Sequence, residues 1–302
     1  MAASLSQSSV NTYRRPWILF QDFAQSYLRL DRVRFPVDSE TLALFVAYLY
    51  EKSYSPTTVL TYISAIGYVH RLAGCSDPSK SDRVQLILRG YSKIRPANAD
   101  TRLPITLPLL ERIIAALELT QPSRFQRTLA KAMCSLAFFA ALRVGEITVR
   151  PGQAQSNLLQ FCHVAFMTDQ TGNTKAVKLT FTNYKHSNPS RPVDLLVYRE
   201  QPVCPVSRLL EYLALRGCSP GPLFCWPDNT PVNREYFVRS LQEALQFCDL
   251  DHTRYKSHSF RIGAASWAAA NGMSDAQIRL FGRWKSNAFL RYIRTPTIGK
   301  LT

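Results

Sequence analysis

A chain of 302 residues, 46% of them hydrophobic, is long enough to bury two ordinary cores, and no apolar run in it approaches the length of a membrane span. Its first ten residues, Met1 to Val10, are polar and Ser-rich, without the blocks of a secretion signal, so an intracellular protein with no membrane partner is expected. The seven cysteines (75, 134, 162, 204, 218, 225 and 248) are odd in number and lack C-x-x-C spacing, which argues against a disulfide framework or a zinc site and predicts reduced, mostly buried thiols.

The net charge of +16 attracts polyanions, of which nucleic acid is the commonest for such a protein. The charge is uneven. Residues 1–100 hold 12 Lys and Arg against 8 Asp and Glu, leaving 25 against 13 for the rest; residues 254–294 carry eight basic residues and one acid, Asp275.

In chain order, Trp17, Phe20 and Tyr27 mark a first helix, and Asp38-Ser39 opens a second whose Leu42, Phe45 and Leu49 share a face. Ser55-Pro56 is a capped entry to a third, with Val59, Ile63, Ile66 and Val69 at helical spacing and Gly74 to close it. A shorter helix follows near 82–93. Between Arg95 and Pro104 apolar periodicity vanishes between two prolines, which predicts a linker at 96–103 separating a domain at 1–95 from one at 104–302. Thr106 then caps a helix bearing Leu110, Ile113, Ile114 and Leu117, and the run 129–142 is apolar on nearly every side, as a helix through a domain centre should be.

The stretches 161–167, 176–182 and 192–198 are β-branched and aromatic, separated by turn-forming segments, and predict a small antiparallel sheet. Helices are expected again at 205–216, 233–248, 258–271, 274–281 and about 286–294, with Gly217, Gly272 and Gly282 at breaks.

The chemistry is concentrated in two places. Arg143, in ALRVGEI, follows so apolar a run that it must be paired or face a ligand, and Glu146 three residues on offers an internal ion pair. His258 and Arg261, in HSFRIG, sit three apart at a helix start, where free N–H groups and positive side chains suit a phosphate. Beyond them lies GRWKSNAFLRYIR, in which Tyr292 is either a core aromatic beside Phe289 and Ile293 or a nucleophile set in a basic strip.

As an ordered set, ALRVGEI, HSFR and GRWKSNAFLRYIR resemble the boxes of the tyrosine recombinases, also called phage integrases, and the resemblance extends over almost the whole chain. It implies a mainly α protein: a helical N-terminal core-binding (SAM-like) domain that clamps DNA, then an α+β catalytic domain with a small antiparallel sheet. It further implies site-specific breakage and rejoining of double-stranded DNA through a covalent 3′-phosphotyrosyl intermediate, without cofactor, metal or ATP. Arg143 and Arg261 would hold the scissile phosphate, His258 would assist proton transfer, Tyr292 would attack, and Glu146 would orient Arg143. The lysine that the family places in a turn of its sheet is matched by Lys185 in TNYKHSN, with Lys175 and Lys178 as alternatives.

The sequence departs from the family pattern at one position. His or Trp usually stands nine residues before the nucleophile, directly after glycine; that place is Arg283 here, with Trp284 one further on, and either a third guanidinium or the indole N–H is available to fill the role. The Gly-Arg-Trp pattern resembles eukaryotic mobile-element recombinases of DIRS-like or Crypton type, which implies a nuclear location. The family acts as a tetramer on DNA, so a homo-oligomer is expected; only ten residues follow Tyr292, which places the assembly contacts elsewhere or marks a truncated form. Two other activities are compatible with these boxes: supercoil relaxation of the type IB topoisomerase kind, and a catalytically silent, domesticated DNA-binding protein.

Overall fold

The computed structural model describes residues 7–31, 33, 35–96, 100–151, 155–183 and 192–294. It divides into two compact units, Met1–Asp100 and Thr101–Thr302. No described helix is long and apolar enough to cross a membrane.

Among the described residues, four α-helices build the first unit: α1 (Gln7–Ser26), α2 (Ser39–Glu51), α3 (Pro56–Leu72) and α4 (Asp82–Ile94). Three begin on side-chain caps, with Asp38, Ser55 and Ser81 accepting from the backbone N–H groups of Thr41, Thr58 and Val84. Phe20, Leu42, Phe45, Leu49, Val59, Ile63, Ile66 and Val84 form its core. Of the apolar residues read at helical spacing, these face inward, whereas Trp17 and Val69 are only partly buried and Tyr27, just past the end of α1, is exposed. His70 is buried too and ties the chain before α2 to α3, its Nε2 accepting from the Val37 N–H at 2.8 Å while Nδ1 donates to the Ile66 carbonyl at 2.8 Å.

The second unit is organised around α6 (Arg124–Phe139), in which every residue from Leu129 to Phe139 is buried. It packs against α5 (Leu107–Thr120), α8 (Pro205–Arg216) and α10 (Ser259–Ala270), while α9 (Arg234–Phe247) covers α5. Even Lys131 is drawn inside, paired with Glu118. This is the central helix expected from the apolar run, but it stops earlier. Ala141 takes a left-handed backbone (φ 44°), so Arg143 caps a separate short helix, α7 (Val144–Ile147), instead of ending α6.

The sheet has the order β1-β2-β3 and is antiparallel throughout: β1 (Val164–Thr168), β2 (Thr174–Phe181) and β3 (Val193–Tyr198). Val177, Leu179 and Phe181 alternate inward from β2, which pairs Val177 with Val197 and Thr180 with Asp194. The first strand begins later than its composition suggests, because Phe161–His163 form a 3-10 turn closed by the His163 ring accepting from the Gln160 N–H.

The chain ends its described course with α11 (Asp275–Phe281) and a 3-10 turn, Asn287–Arg291, where an α-helix through 294 was expected. Ser286 caps that turn through the Ala288 N–H. Tyr292 follows at its exit, outside regular helix. All seven cysteines are free as expected, but only Cys134 and Cys225 are buried; Cys162 and Cys218 are exposed, since they lie in surface connections rather than on core-facing helix positions.

Candidate active site

Two chain reversals bring the basic boxes together. The turn after α6 exposes the carbonyls of Ala140 and Ala141 at the negative end of a buried helix, and two arginines from distant sequence bind there. Arg261 donates Nη1 to the Ala141 carbonyl and Nη2 to the Gly282 carbonyl at 2.9 Å. Arg283 donates Nη1 to the Ala140 carbonyl at 3.2 Å and Nη2 to that of Ala141 at 3.3 Å. The end of the core helix thus serves as an anchor for both.

Glu146 joins Arg283 to Arg143. One carboxylate oxygen accepts from the Arg143 Nη1 at 3.1 Å, while the other accepts from the Arg143 backbone N–H and from the Arg283 Nη2, both at 2.9 Å. The internal ion pair read in ALRVGEI is therefore present, and Arg283 shares it. Arg143 also donates Nη2 to the Arg283 carbonyl at 3.2 Å, yet its side chain keeps 24% exposure whereas that of Arg283 keeps 1%. Burial pushes the Glu146 carboxyl up, but the Arg283 and Arg143 guanidiniums and the Arg143 N–H outweigh it and hold the group below the usual carboxylate range.

Three guanidiniums surrounding one carboxylate leave a buried positive excess. Arg261 feels it most: burial, and then the neighbouring charge of Arg143, push its guanidinium down to about 9. A cation so destabilised in a cleft is poised for an anion that would restore it.

The aromatic residues close the other side. Trp284 lies over Arg261, with the guanidinium carbon 4.5 Å from the ring, and packs against Tyr292 at 5.7 Å and Phe289 at 6.0 Å between ring centroids. These rings sit on a small core of their own with Ala264, Ala265, Ala268, Ile278 and Phe281. The imidazole of His258, which precedes the first residue of α10, meets the Tyr292 ring at 4.8 Å and 69°. Ser266 fixes the far side of the tyrosine, donating to the Tyr292 carbonyl at 3.2 Å and accepting from the Arg294 N–H at 2.9 Å.

Arg143, His258, Arg261, Arg283, Trp284 and Tyr292 all line one cavity of about 470 Å³. Lys185 lies outside the described residues. Lys178 pairs with Asp194 at 3.3 Å on the sheet, and neither it nor Lys175 lines the cavity. Arg102, Arg234, Lys285 and Ser257 line it as well. Sequence reasoning assigned them no role, because nothing local distinguishes an Arg that faces a cleft from one that faces solvent. Lys285, adjacent to Trp284 in the second box, was the most legible of them.

No protein-family profile matches the chain, and no curated protein sequence matches it significantly. Solved structures do. A XerH site-specific recombinase bound to palindromic difH substrate, a post-cleavage complex, superposes with a TM-score of 0.64 at 15% identity, covering 95% of this chain and 76% of that one. The Tn1549 transposon integrase in complex with transposon right end DNA gives 0.62 at 11% identity, over 97% of this chain and 91% of its own. A lambda integrase dimer bound to a COC′ core site gives 0.59 at 13% identity, over 96% and 89%. A mainly helical chain with one small antiparallel sheet, matched over nearly all its length by these enzymes, has the tyrosine recombinase fold.

Proposed function

We propose that the chain is a site-specific DNA recombinase or integrase that cleaves and rejoins duplex DNA through Tyr292. The observation that carries this reading is the convergence of Arg143, Arg261, His258 and Tyr292, from separate sequence boxes, on one electropositive cavity. The solved recombinases that share the fold are bound to DNA, which supports DNA as the substrate.

The residues suit each step. Attack on a phosphodiester concentrates negative charge on its non-bridging oxygens, and the preorganised guanidiniums of Arg143 and Arg261 meet that charge without rearranging. An ordinary phenol has a pKa of about 10, so a base must accept its proton, and His258 stands against the Tyr292 ring. The phenol oxygen bonds to phosphorus, the bond to the 5′ oxygen breaks, and that oxygen leaves with a proton from a general acid, for which Lys185 is the candidate. The phosphotyrosyl ester keeps the bond energy, so a second 5′ hydroxyl can rejoin the strand by the reverse path and the scheme invokes no cofactor.

The Gly282-Arg283-Trp284 pattern supports placing the chain among eukaryotic mobile-element recombinases acting in the nucleus, and strand exchange between two sites calls for a tetramer on DNA. A duplex with a nick beside the target phosphate tests the central claim, since loss of the short 5′-hydroxyl fragment prevents religation. Wild type should accumulate a covalent protein–DNA adduct and Tyr292→Phe none; an adduct that survives in Tyr292→Phe would overturn the assignment. Sequencing of the trapped DNA would identify the site. Relaxed plasmid without recombinant product would indicate topoisomerase activity instead, and tight binding without any adduct a silent DNA-binding protein.

A further inference from the structure

We propose that Arg283 is a positioning residue that acts on Arg143 through Glu146, and that Trp284, not Arg283, is the group of this segment that meets the scissile phosphate. The proposal rests on the recombinase reading above and assigns the place where the sequence departs from the family pattern.

The Arg283 guanidinium is held by the Ala140 and Ala141 carbonyls, by the Phe281 carbonyl at 3.4 Å and by Glu146, with the Phe181 ring 3.9 Å from its carbon. A third guanidinium on the phosphate would have to break this set. Arg283 borders the same cavity but keeps only 1% of its side chain exposed, whereas Arg143 keeps 24%.

A lone Glu146 would neutralise Arg143, the residue that has to meet the phosphate. With Arg283 also bound to Glu146 at 2.9 Å, the carboxylate is balanced from the buried side, and the charges of Arg143 and Arg261 stay uncompensated toward the cavity. Arg283 also grips Arg143 directly, because its own carbonyl accepts from the Arg143 Nη2.

Arg283 occupies the left-handed region (φ 53°), and the turn it makes lays Trp284 back over Arg261 and against Tyr292. No described residue accepts a hydrogen bond from the Trp284 indole N–H, although the ring lines the cavity. A donor between the phosphate-binding arginine and the nucleophile is thus left for a ligand.

A double-mutant cycle on adduct formation separates the alternatives. Arg283→Gln, which leaves Glu146 to compete for Arg143, should slow cleavage about 100-fold while DNA affinity changes less than about threefold. In a Glu146→Gln background the same change should cost less than about threefold, because there is no carboxylate left to balance. Additive losses in the double variant would show that Arg283 touches the phosphate and would overturn the proposal. If Arg283→Gln alone does not fold, Glu146→Gln compared with the double variant still decides: a further loss beyond about 30-fold overturns it. Trp284→Phe keeps the stack and removes the N–H; cleavage should fall about 10- to 100-fold, and an unchanged rate overturns the second half. The same cycle read by thermal shift with inorganic phosphate needs no cleavage. Arg283→Gln should weaken phosphate about tenfold and the double variant should recover it; a failure to recover counts against Arg283 even if wild type forms no adduct, an outcome that would itself count against the recombinase reading.

Discussion

The imidazole of His258 meets the ring of Tyr292 edge to face, 4.8 Å between centroids, and the same tyrosine packs against Trp284 at 5.7 Å. On the proposed function, the packing belongs to the ring and the chemistry to the hydroxyl. Tyr292→Phe should therefore melt within about 0.5 kcal/mol of wild type while losing all adduct formation, as read by denaturant titration and by gel shift of labelled nicked duplex. A large loss of stability would mean that the hydroxyl has a structural partner.

Arg261 makes stability depend on pH in an unusual direction. Its folded guanidinium titrates near 9, far below the unfolded value, so between those values the unfolded chain binds one more proton than the folded chain. The unfolding free energy of wild type relative to Arg261→Leu should be flat below pH 9 and rise by about 1.4 kcal/mol per unit above it. Urea titrations at pH 8, 9 and 10 would show the bend. Saturating inorganic phosphate should move it upward, since a bound anion favours the charged form.

Gly282→Ala should leave a folded protein that cleaves poorly. A Cβ there would lie 1.7 Å from the Trp284 ring, so the indole must leave its place over Arg261. Tryptophan fluorescence should shift and adduct formation drop at least about tenfold. Gly263→Ala is different in kind: its Cβ would meet the backbone carbonyl oxygen of Ile105 at 1.7 Å, and backbone cannot step aside. It should cost about 3 kcal/mol of stability, measured by the denaturation midpoint.

Arg234 lines the cavity at the start of α9, apart from the ion-paired cluster. As a phosphate contact, it should contribute to affinity without selecting sequence. Arg234→Ala should weaken binding uniformly across duplexes and reduce the slope of log K against log salt by about one. Fluorescence anisotropy from 50 to 300 mM salt, on several unrelated duplexes, would measure both effects.

What was legible in the sequence is what depends on periodicity and on ordered motifs. The helix starts at Asp38, Ser55 and Thr106 are local hydrogen-bonding decisions, and they appear as side-chain caps. The sheet follows from its β-branched and aromatic stretches between turn-forming segments, and Arg143, His258, Arg261 and Tyr292 were visible because their boxes come in a fixed order. Less legible was anything set by a single backbone angle. The positive φ of Ala141 ends α6 early, and that of Arg283 decides which side chain of the pair Arg283-Trp284 enters the ion-paired cluster and which faces the rings. Neither residue type advertises such a conformation. The carbonyl anchors of Ala140, Ala141 and Gly282 have no sequence signal at all, since every residue has a carbonyl.

Those anchors tie chemistry to folding. Because Arg261 and Arg283 are fastened to the turn that closes α6, a helix buried from Leu129 to Phe139, this part of the cleft shares the stability of the second unit's core. Heat inactivation should accordingly coincide with cooperative melting of the second unit. A substitution such as Met133→Ala, far down α6, should lower the temperature of both by the same amount.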